Sequence, residues 1–333
     1  MANHGLARFT SLTVDLDPLR SYLENRRLTP APETDLEAVM RDGLPRILDL
    51  LSRLGIPATF FVVGQDARDG ENARWLRAAV AQGHEVACHS DRHLPDFDRL
   101  PRRELALDIG RSREALESAT GRPVTGFRAP AWNIPRELFE ILVAQGFEYD
   151  SSLVSRPAGP WRVAALRLLK TFSPSTAPHR IMQGQPAATV PHRPYPMDPA
   201  RPWLPCPGSS LWEIPHGCSA GPLPVPLNGT VLGWLPDPIT AGMCRLGARR
   251  PEPLIFVCHG IDLVDFHRHV RDPRLRGKPG LTAPIAAKER RLSNLLRALG
   301  AKRTWVTLRD LRRACADAVT AHGQGFAPDR TNG

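Results

Sequence analysis

The chain has 333 residues, enough for one large α/β domain or two ordinary ones. Its composition, 42% hydrophobic and 23% charged, excludes an intrinsically disordered or fibrous chain. The apolar runs are strand-sized and too short for a membrane helix, so no transmembrane segment is expected.

The net charge of +10 comes mainly from arginine. It indicates either an anionic partner or a surface that is merely rich in arginine. Because the arginines are spread along the chain and only 6% of residues are aromatic, we do not expect nucleic-acid binding. A phosphate-bearing substrate and a peripheral contact with an anionic membrane both remain compatible with this charge.

The cysteines and the N-terminal residues are informative about the cellular location of the protein. The six cysteines are scattered without a C-x-x-C pair, which is not the pattern of a disulfide framework. The N-terminal residues contain no apolar stretch of the length that a secretory signal needs. We therefore expect a cytoplasmic protein.

The first half of the chain alternates between strand and helix patterns, and glycine or proline follows most of the predicted helices. The predicted strands span residues 9–14, 58–63, 85–88, 124–127 and 147–149, and the predicted helices span residues 44–54, 72–82, 102–118 and 135–145. This alternation predicts a parallel sheet, because parallel strands need a crossover connection of about this size.

Residues 155–253 differ in character, since more than half of the 34 prolines of the chain lie there. We predict mostly irregular loop, with a short helix at 161–169 and strands at 211–214 and 229–232. The segment is interpreted as an insertion that caps the domain and not as a second domain. The α/β pattern then returns with strands at 254–258 and 305–308 and helices at 283–299 and 308–322. A single domain is thus predicted over residues 1–323, followed by a disordered tail over 324–333.

The polar residues of interest directly follow predicted strands. They are Asp15 with Asp17, His89, Arg128, Asp150 and His259. In a closed or nearly closed parallel barrel such positions lie on one rim, where barrel enzymes place their active sites.

Asp15 and Asp17 are separated by one residue, so in an extended chain their side chains point the same way. One carboxylate can then bind a metal while the other accepts a proton. The same pattern also occurs in solvated loops, so it is not specific by itself.

His89 and His93 lie four residues apart, and a helical turn would put both imidazoles on one face, where they could chelate one ion. The alternative is two unrelated surface histidines. One aspartate and two histidines leave coordination positions open for water, which suits a catalytic metal.

The remaining candidates each have a plain structural alternative. Arg128 is well placed to hold a carboxylate bidentately, or it forms an ordinary surface salt bridge. Asp150 could cap a helix or turn. His259 could be a packed histidine with a satisfied hydrogen bond. The other histidines, including His84 and His216, are interpreted as surface or loop residues, although His216, which follows Glu213-Ile214-Pro215, could lie near the pocket.

Taken together and in this order, the motifs resemble those of the polysaccharide deacetylase superfamily, the carbohydrate de-N-acetylases with the NodB fold. The matching segments are Asp15-Leu16-Asp17, His89-Ser90-x-x-His93, Arg128-Ala129-Pro130, Asp150-Ser151-Ser152 and His259. The resemblance covers roughly residues 9–311. It implies an α/β fold, a distorted (β/α)7-type barrel, here with a long proline-rich insertion.

By this resemblance, Asp17, His89 and His93 would bind a divalent metal, expected to be Zn²⁺, that binds the attacking water and polarises the amide carbonyl. Asp15 would be the general base, although the intervening Leu16 leaves the roles of Asp15 and Asp17 exchangeable.

In the same scheme Arg128 would hold the base in place, and His259 would protonate the leaving amine. Asp150 would pair with His259 and raise its pKa. The turn after Arg128, with Pro130, Ala131 and Trp132, would contact the substrate, and a backbone N–H near Ala131 or Trp132 would complete an oxyanion hole. Asp262 is a further candidate, because the segment around His259 departs from the usual last motif of the family.

The function implied is metal-dependent hydrolysis of a carbon–nitrogen amide bond, removing an N-acetyl or N-formyl group. The expected substrate is a small amino sugar or a lipid- or nucleotide-linked one. One alternative is a metal-independent hydrolase of cyclic amides with the same fold. Another is a catalytically inactive member that binds carbohydrate.

Overall fold

The computed structural model describes residues 6–155, 182–186, 189–216, 229, 237–278 and 280–321. Its framework is a curled sheet with seven parallel strands in the spatial order β9-β1-β2-β3-β4-β5-β8. A short parallel strand, β10, also pairs with the start of β1, and the antiparallel pair β6–β7 extends the sheet beyond β8. The strands are β1 Phe9–Leu16, β2 Ala58–Val62, β3 Glu85–Cys88, β4 Gly126–Phe127, β5 Tyr149–Asp150, β6 Tyr195–Asp198, β7 Arg201–Pro205, β8 Trp212–Glu213, β9 Leu254–His259 and β10 Thr304–Trp305.

Helices pack around this sheet. They are α1 Leu19–Glu24, α2 Leu44–Leu54, α3 Gly64–Ala67, α4 Gly70–Ala81, α5 Arg102–Thr120, α6 Leu138–Ala144, α7 Asp237–Gly247, α8 Ile285–Gly300 and α9 Leu308–Ala321. Helix α2 ends where Gly55 takes a left-handed conformation (φ 64°), as its sequence predicts. Among the described helices, none is both long and apolar enough to cross a membrane.

The predicted fold class is confirmed: the sheet is a distorted (β/α)7-type barrel. Strand β3 has the predicted bounds, and most other elements of the first half differ by only a few residues. The final strand lies at Thr304–Trp305 and not at 305–308, because α9 already begins at Leu308. Helices α1 and α3 were not predicted, since each is short and follows a strand directly.

Segment 155–253 contributes to the framework as well as to loops. Strand β8 lies within the predicted strand 211–214 and pairs in parallel with β5, so this part belongs to the barrel. The β6–β7 pair and helix α7 are regular elements of this segment that the sequence did not predict. The predicted helix at 161–169, most of the predicted strand at 229–232 and the predicted tail lie outside the described residues. The division into one domain with a cap stays a prediction.

The register of the strands brings the candidate residues to one rim. Asp15 is level with His259 of β9 and with Phe61 of β2. Further round the sheet, successive pairs link Val62, Cys88, Phe127, Asp150 and Glu213. His89 and Arg128 come directly after two of these level residues. Parallel pairing therefore places all these side chains at the carboxyl ends of the strands.

At the opposite end of the strands, a buried carboxylate joins three strands to a helix. Glu85, 3% exposed, accepts hydrogen bonds from Thr59 Oγ1 (2.8 Å), Tyr149 Oη (2.9 Å) and the backbone N–H of Arg309 (3.0 Å). Burial raises the pKa of this carboxyl, and the three hydrogen bonds partly oppose that rise.

We predict that Tyr149→Phe lowers the free energy of unfolding by about 1–3 kcal/mol, because it leaves one oxygen of Glu85 without its donor. Denaturant unfolding measures this. Tyr195→Phe is the matched control, since Tyr195 donates to Pro202 O, which lies in a half-buried residue that water can reach. Equal losses in the two variants would contradict the prediction.

Candidate active site

The sequence-predicted metal ligands meet above the carboxyl ends of β1 and β3. Asp17 Oδ1 lies 3.2 Å from His89 Nε2 and 3.4 Å from His93 Nε2, and the three candidate ligand atoms all lie within 4.8 Å of one another. Bonds of ~2.0 Å to a tetrahedral ion would separate neighbouring ligand atoms by about 3.3 Å. The donor set and its spacing therefore fit a divalent cation such as zinc.

The ring orientation of His89 is fixed by the neighbouring strand. His89 Nδ1 lies 2.8 Å from the carbonyl oxygen of Arg128, to which its N–H donates. This hydrogen bond selects the tautomer whose Nε2 carries a free lone pair, directed at Asp17. The ring is 1% exposed, so it is both oriented and shielded.

His93 reaches the same point by a left-handed turn, not by the helical turn that the spacing suggests. Ser90 (φ 63°) and His93 (φ 53°) both have positive φ, and His93 N donates to Ser90 Oγ at 3.0 Å. Neither ring nitrogen of this buried histidine has a hydrogen-bond acceptor or donor among the described residues. A strained backbone and a buried imidazole that lacks a hydrogen bond, with its Nε2 3.4 Å from Asp17 Oδ1, indicate a ligand site.

The charges of this cluster support cation binding. Burial alone would raise the pKa of Asp17, but the adjacent His93 and His89 outweigh it and hold the pKa well below its usual value. Burial lowers the pKa of His93, but Asp17 outweighs it, and the net shift is upward. Asp17 is thus a carboxylate that attracts positive charge, which a metal ion supplies more strongly than a proton.

Asp15 lies beside the metal cluster and is paired with Arg128. Arg128 Nη1 donates to Asp15 Oδ1 at 2.6 Å and to Thr13 Oγ1 at 2.9 Å, and both charged side chains are buried. The guanidinium carbon also lies 4.1 Å from the centroid of the Phe61 ring. A charge-assisted hydrogen bond in a dry setting fixes the orientation of Asp15.

The segment Asp150-Ser151-Ser152 anchors Arg128 and the turn after it. Arg128 Nε donates to Ser151 O and Nη2 to Ser151 Oγ, both at 3.0 Å. Ser152 Oγ accepts from the N–H of Ala129 (2.8 Å) and donates to Asp150 Oδ1 (2.7 Å). The two serines therefore hold Arg128 and Ala129 in place through their hydroxyl groups and the carbonyl of Ser151, a role that the sequence pattern did not indicate.

Asp150 does not make the predicted pair with His259. Its oxygens accept from Ser152 N and Ser152 Oγ, and it faces Glu213, its level partner on β8. Among the described residues no hydrogen bond joins Asp150 to His259. The reason is the order of strands in the sheet: β8 lies directly beside β5, whereas β9 lies on the far side of β1.

Asp150 and Glu213 form a fully buried carboxyl pair, in which Glu213 Oε1 also accepts from Leu153 N at 3.0 Å. Burial raises the pKa of both groups, and Asp150 raises that of Glu213 further, well above its usual value. We predict that the two carboxyls share one proton, because two adjacent carboxylates cannot both remain charged in a dry site.

Glu213→Gln tests whether Asp150 and Glu213 share a proton. A carboxyl whose pKa is raised by folding keeps a proton that the unfolded chain releases, so its burial becomes more costly as pH rises from about 4.5 towards the folded pKa. The amide of glutamine donates to Asp150 without titrating. We therefore expect Glu213→Gln to gain stability relative to wild type between pH 5 and pH 8.

Denaturant unfolding at both pH values measures this gain. The exposed Glu140→Gln is the control, and its stability relative to wild type should change little over the same range. A Glu213→Gln variant that loses stability relative to wild type as pH rises would exclude a shared proton.

His259 lies on the other side of Asp15, where its ring is 6.2 Å from that of Trp132, edge to face. Its Nδ1 has no hydrogen-bond partner among the described residues. Asp262 accepts from the backbone N–H of His259 at 3.0 Å and lies 3.6 Å from Lys278 Nζ, so its carboxylate supports the loop. His259 is therefore free to meet a ligand.

The turn of Pro130, Ala131 and Trp132 has positive φ at Ala131 (51°) and Trp132 (53°). The N–H of Trp132 donates to Ala129 O at 3.0 Å. Because this N–H is already used, Trp132 is excluded as the backbone donor of the oxyanion hole. Ala131 is the remaining one of the two predicted donors. Strained backbone at this rim again coincides with the candidate site.

Two histidines interpreted as surface residues are buried. His84 accepts from Ala58 N at 3.1 Å near the amino-terminal end of β3, far from the site. His216 follows β8 and stacks on Trp132 in the site itself. Its position after the β8 residues Trp212 and Glu213, on a strand beside β5, is the signal that would have found it.

Comparison with known proteins gives further information on the family. Residues 34–149 match the family model described as polysaccharide deacetylase, a span that includes His89, His93 and Arg128. These matches support the polysaccharide deacetylase superfamily for this chain. The resemblance inferred from the motifs is thereby confirmed.

Among the curated relatives, a peptidoglycan deacetylase of Helicobacter pylori is 28% identical over 152 residues, which are 45% of this chain and 51% of the relative. The chain thus spans about half the length of that relative. The crystal structure of a putative polysaccharide deacetylase from Mycobacterium smegmatis matches with a TM-score of 0.56 and 18% identity, over 93% of this chain and 90% of that one. A structure of Puue allantoinase matches with a TM-score of 0.57 and 18% identity, over 95% and 92%. These structural likenesses establish the shared fold.

Proposed function

We propose that this protein is a metal-dependent hydrolase that removes an N-acetyl or N-formyl group from an amino sugar. The observation that carries the proposal is the cluster of Asp17, His89 and His93 beside the Asp15–Arg128 pair. A superfamily member with these groups in reach of one another has the parts needed to hydrolyse an amide.

Asp17, His89 and His93 would hold the metal, which we propose to be Zn²⁺. When bound, the ion lowers the pKa of water and stabilises negative charge on the amide oxygen. The protein residues supply orientation and proton transfer around it.

Asp15 is proposed as the general base that accepts the proton of the attacking water, because Arg128 Nη1 donates to its Oδ1 at 2.6 Å and so holds the carboxylate in place. His259 is proposed to donate a proton to the leaving amine, since its Nδ1 is unpartnered next to the same residue. The N–H of Ala131 is the proposed backbone donor to the amide oxygen.

The proposed substrate class is an N-acylated amino sugar, either small or linked to a lipid or nucleotide. The relative from Helicobacter pylori carries the name peptidoglycan deacetylase, which supports an N-acetylated sugar. The net charge of +10 would favour a phosphate-linked form. A cytoplasmic location and peripheral membrane contact stay predictions of the sequence.

The test is release of acetate or formate from metal-loaded protein. Zinc-, cobalt- and manganese-loaded samples are assayed with N-acetylglucosamine, chitobiose-type oligomers and a UDP-linked N-acetyl sugar, and free amine is quantified alongside the acid. We expect release in at least one metal form and none after chelation. Activity that survives complete removal of metal would favour the metal-independent cyclic-amide reading, and sugar binding without any release would favour the inactive binding protein.

Asp15→Asn is the matched control, because it keeps the shape of the side chain and all three metal ligands. It should bind metal like the parent protein and lose at least ~10³-fold in kcat, the order seen when a residue essential to proton transfer is removed. Retained activity would exclude Asp15 as the base.

A further inference from the structure

His216 occupies the wall of the site next to the proposed proton donor. Its backbone is fixed, because its N–H donates to Leu153 O (2.9 Å) and its carbonyl accepts from Ser155 N (3.0 Å). Its ring stacks on Trp132 with centroids 6.1 Å apart and planes 22° apart, while His259 meets the same tryptophan at 6.2 Å. The three rings form one aromatic wall beside Asp15.

This wall has several polar atoms without partners. Both ring nitrogens of His216, which is 1% exposed, lack a hydrogen bond among the described residues, as do Trp132 Nε1 and His259 Nδ1. Each unmet buried polar group costs about 1–3 kcal/mol. A phenylalanine would fill the place of His216 without that cost, so the imidazole is better explained by a ligand than by packing.

His216 is uncharged in this setting. Burial, followed by the nearby Arg128 and His259, lowers its pKa to about 3. A neutral imidazole offers one donor and one acceptor. A hydroxyl group complements it, since it too both donates and accepts, whereas an anionic group would be better matched by a cation.

We propose that His216 is a substrate-positioning residue, whose ring hydrogen-bonds an uncharged hydroxyl of the sugar on the leaving-amine side of the scissile amide. This proposal rests on the proposed amino-sugar substrate. It gives the two histidines on either side of Trp132 different tasks: His259 transfers a proton and His216 orients the sugar. Substrates without a hydroxyl there would gain nothing from His216.

The test compares two substrates and three proteins. Zinc-loaded wild type, His216→Phe and His216→Gln are assayed with N,N′-diacetylchitobiose, which carries hydroxyls, and with 4-nitroacetanilide, which carries none. His216→Phe keeps the ring that stacks on Trp132, and we expect its kcat/KM for the sugar to fall at least ~10-fold, the equivalent of one lost hydrogen bond of about 1.4 kcal/mol. Its kcat/KM for 4-nitroacetanilide should stay within about threefold of wild type.

His216→Gln restores a donor and an acceptor, so it should recover part of the loss for the sugar although it packs less well. Thermal stability of His216→Phe should equal or exceed that of wild type, because an unmet polar group is removed. His84→Phe is the matched control at a buried histidine far from the site. It should be less stable, through loss of the Ala58 hydrogen bond, with unchanged KM.

Calorimetric binding of the chitobiose to zinc-loaded Asp15→Asn, with and without His216→Phe, separates this proposal from the proposed function. Weaker binding with His216→Phe supports the proposal even if wild type releases no acetate. Equal binding by the two proteins would overturn the proposal for His216. So would an equal fall in kcat/KM for both substrates in His216→Phe. Neither result would contradict the proposed hydrolysis. Absence of both binding and release would overturn the amino-sugar substrate and this proposal together.

Discussion

Replacing His89 or His93 with alanine should abolish stoichiometric metal binding and lower kcat/KM by on the order of 10³-fold or more, since a Lewis-acid metal contributes several kcal/mol. The parent protein, purified without chelator, should contain about one ion per chain. The reason is geometric: the two imidazoles and Asp17 provide the three ligand atoms, and no other group of three or more possible ligands lies that close together among the described residues. Metal analysis of the purified variants measures the first effect, and acetate release measures the second.

His267→Ala serves as the control for this pair, because His267 is an exposed histidine away from the site. It should keep both metal and activity. A parent protein that takes up no zinc, cobalt or manganese on reconstitution would refute the metal assignment. So would a His93→Ala protein with full metal content.

Arg128→Ala should cause the largest loss of stability, about 3–5 kcal/mol, as expected when one partner of a buried ion pair is removed. Arg128 is fully buried, donates to Asp15, Thr13 and two atoms of Ser151, and lies over Phe61. Its removal leaves the Asp15 carboxylate buried without its counter-charge. Denaturant unfolding of the metal-free protein measures the change, which should appear in thermal scans as a fall of at least ~6 °C.

Arg102→Ala is the matched control, because Arg102 forms an ion pair of similar length, 2.7 Å, with Glu140, but both side chains are more than half exposed. Exposed pairs contribute little, so this variant should stay within about 1 kcal/mol of wild type. Comparable stability of Arg128→Ala and Arg102→Ala would mean that the Arg128–Asp15 pair does not stabilise the folded protein. Arg128→Ala should also lose activity, through the misplaced Asp15.

Local sequence patterns were sufficient to predict the longer strands of the sheet. Alternating short apolar runs and amphipathic segments predicted β1, β2, β3 and β9, since a buried parallel strand requires a continuous apolar run. They were insufficient for α1 and α3, which are too short to show a period, and for the two-residue strands β4 and β5, whose exact bounds depend on pairing. Helix α7 was missed because the surrounding prolines dominate its segment.

Some residues of the candidate site were likewise predictable from the sequence and others were not. Asp15, His89, Arg128 and His259 were predictable because each follows a strand, and the ends of parallel strands share a rim. Glu213 and His216 were not, because what makes them part of the site is the pairing of β8 with β5, across more than sixty residues of chain. The pairing of Asp150 was predicted wrongly for the same reason.

By itself, then, the sequence determined which strands form, which side chains follow them and which family the chain resembles, because these depend on local periodicity and on spacing along the chain. Only the tertiary structure decided which side chains touch. The order of strands in the sheet put Glu213, not His259, beside Asp150. A left-handed turn, not a helix, brought His93 to His89 and Asp17. These outcomes depend on register and long-range packing, and no local pattern encodes either of them.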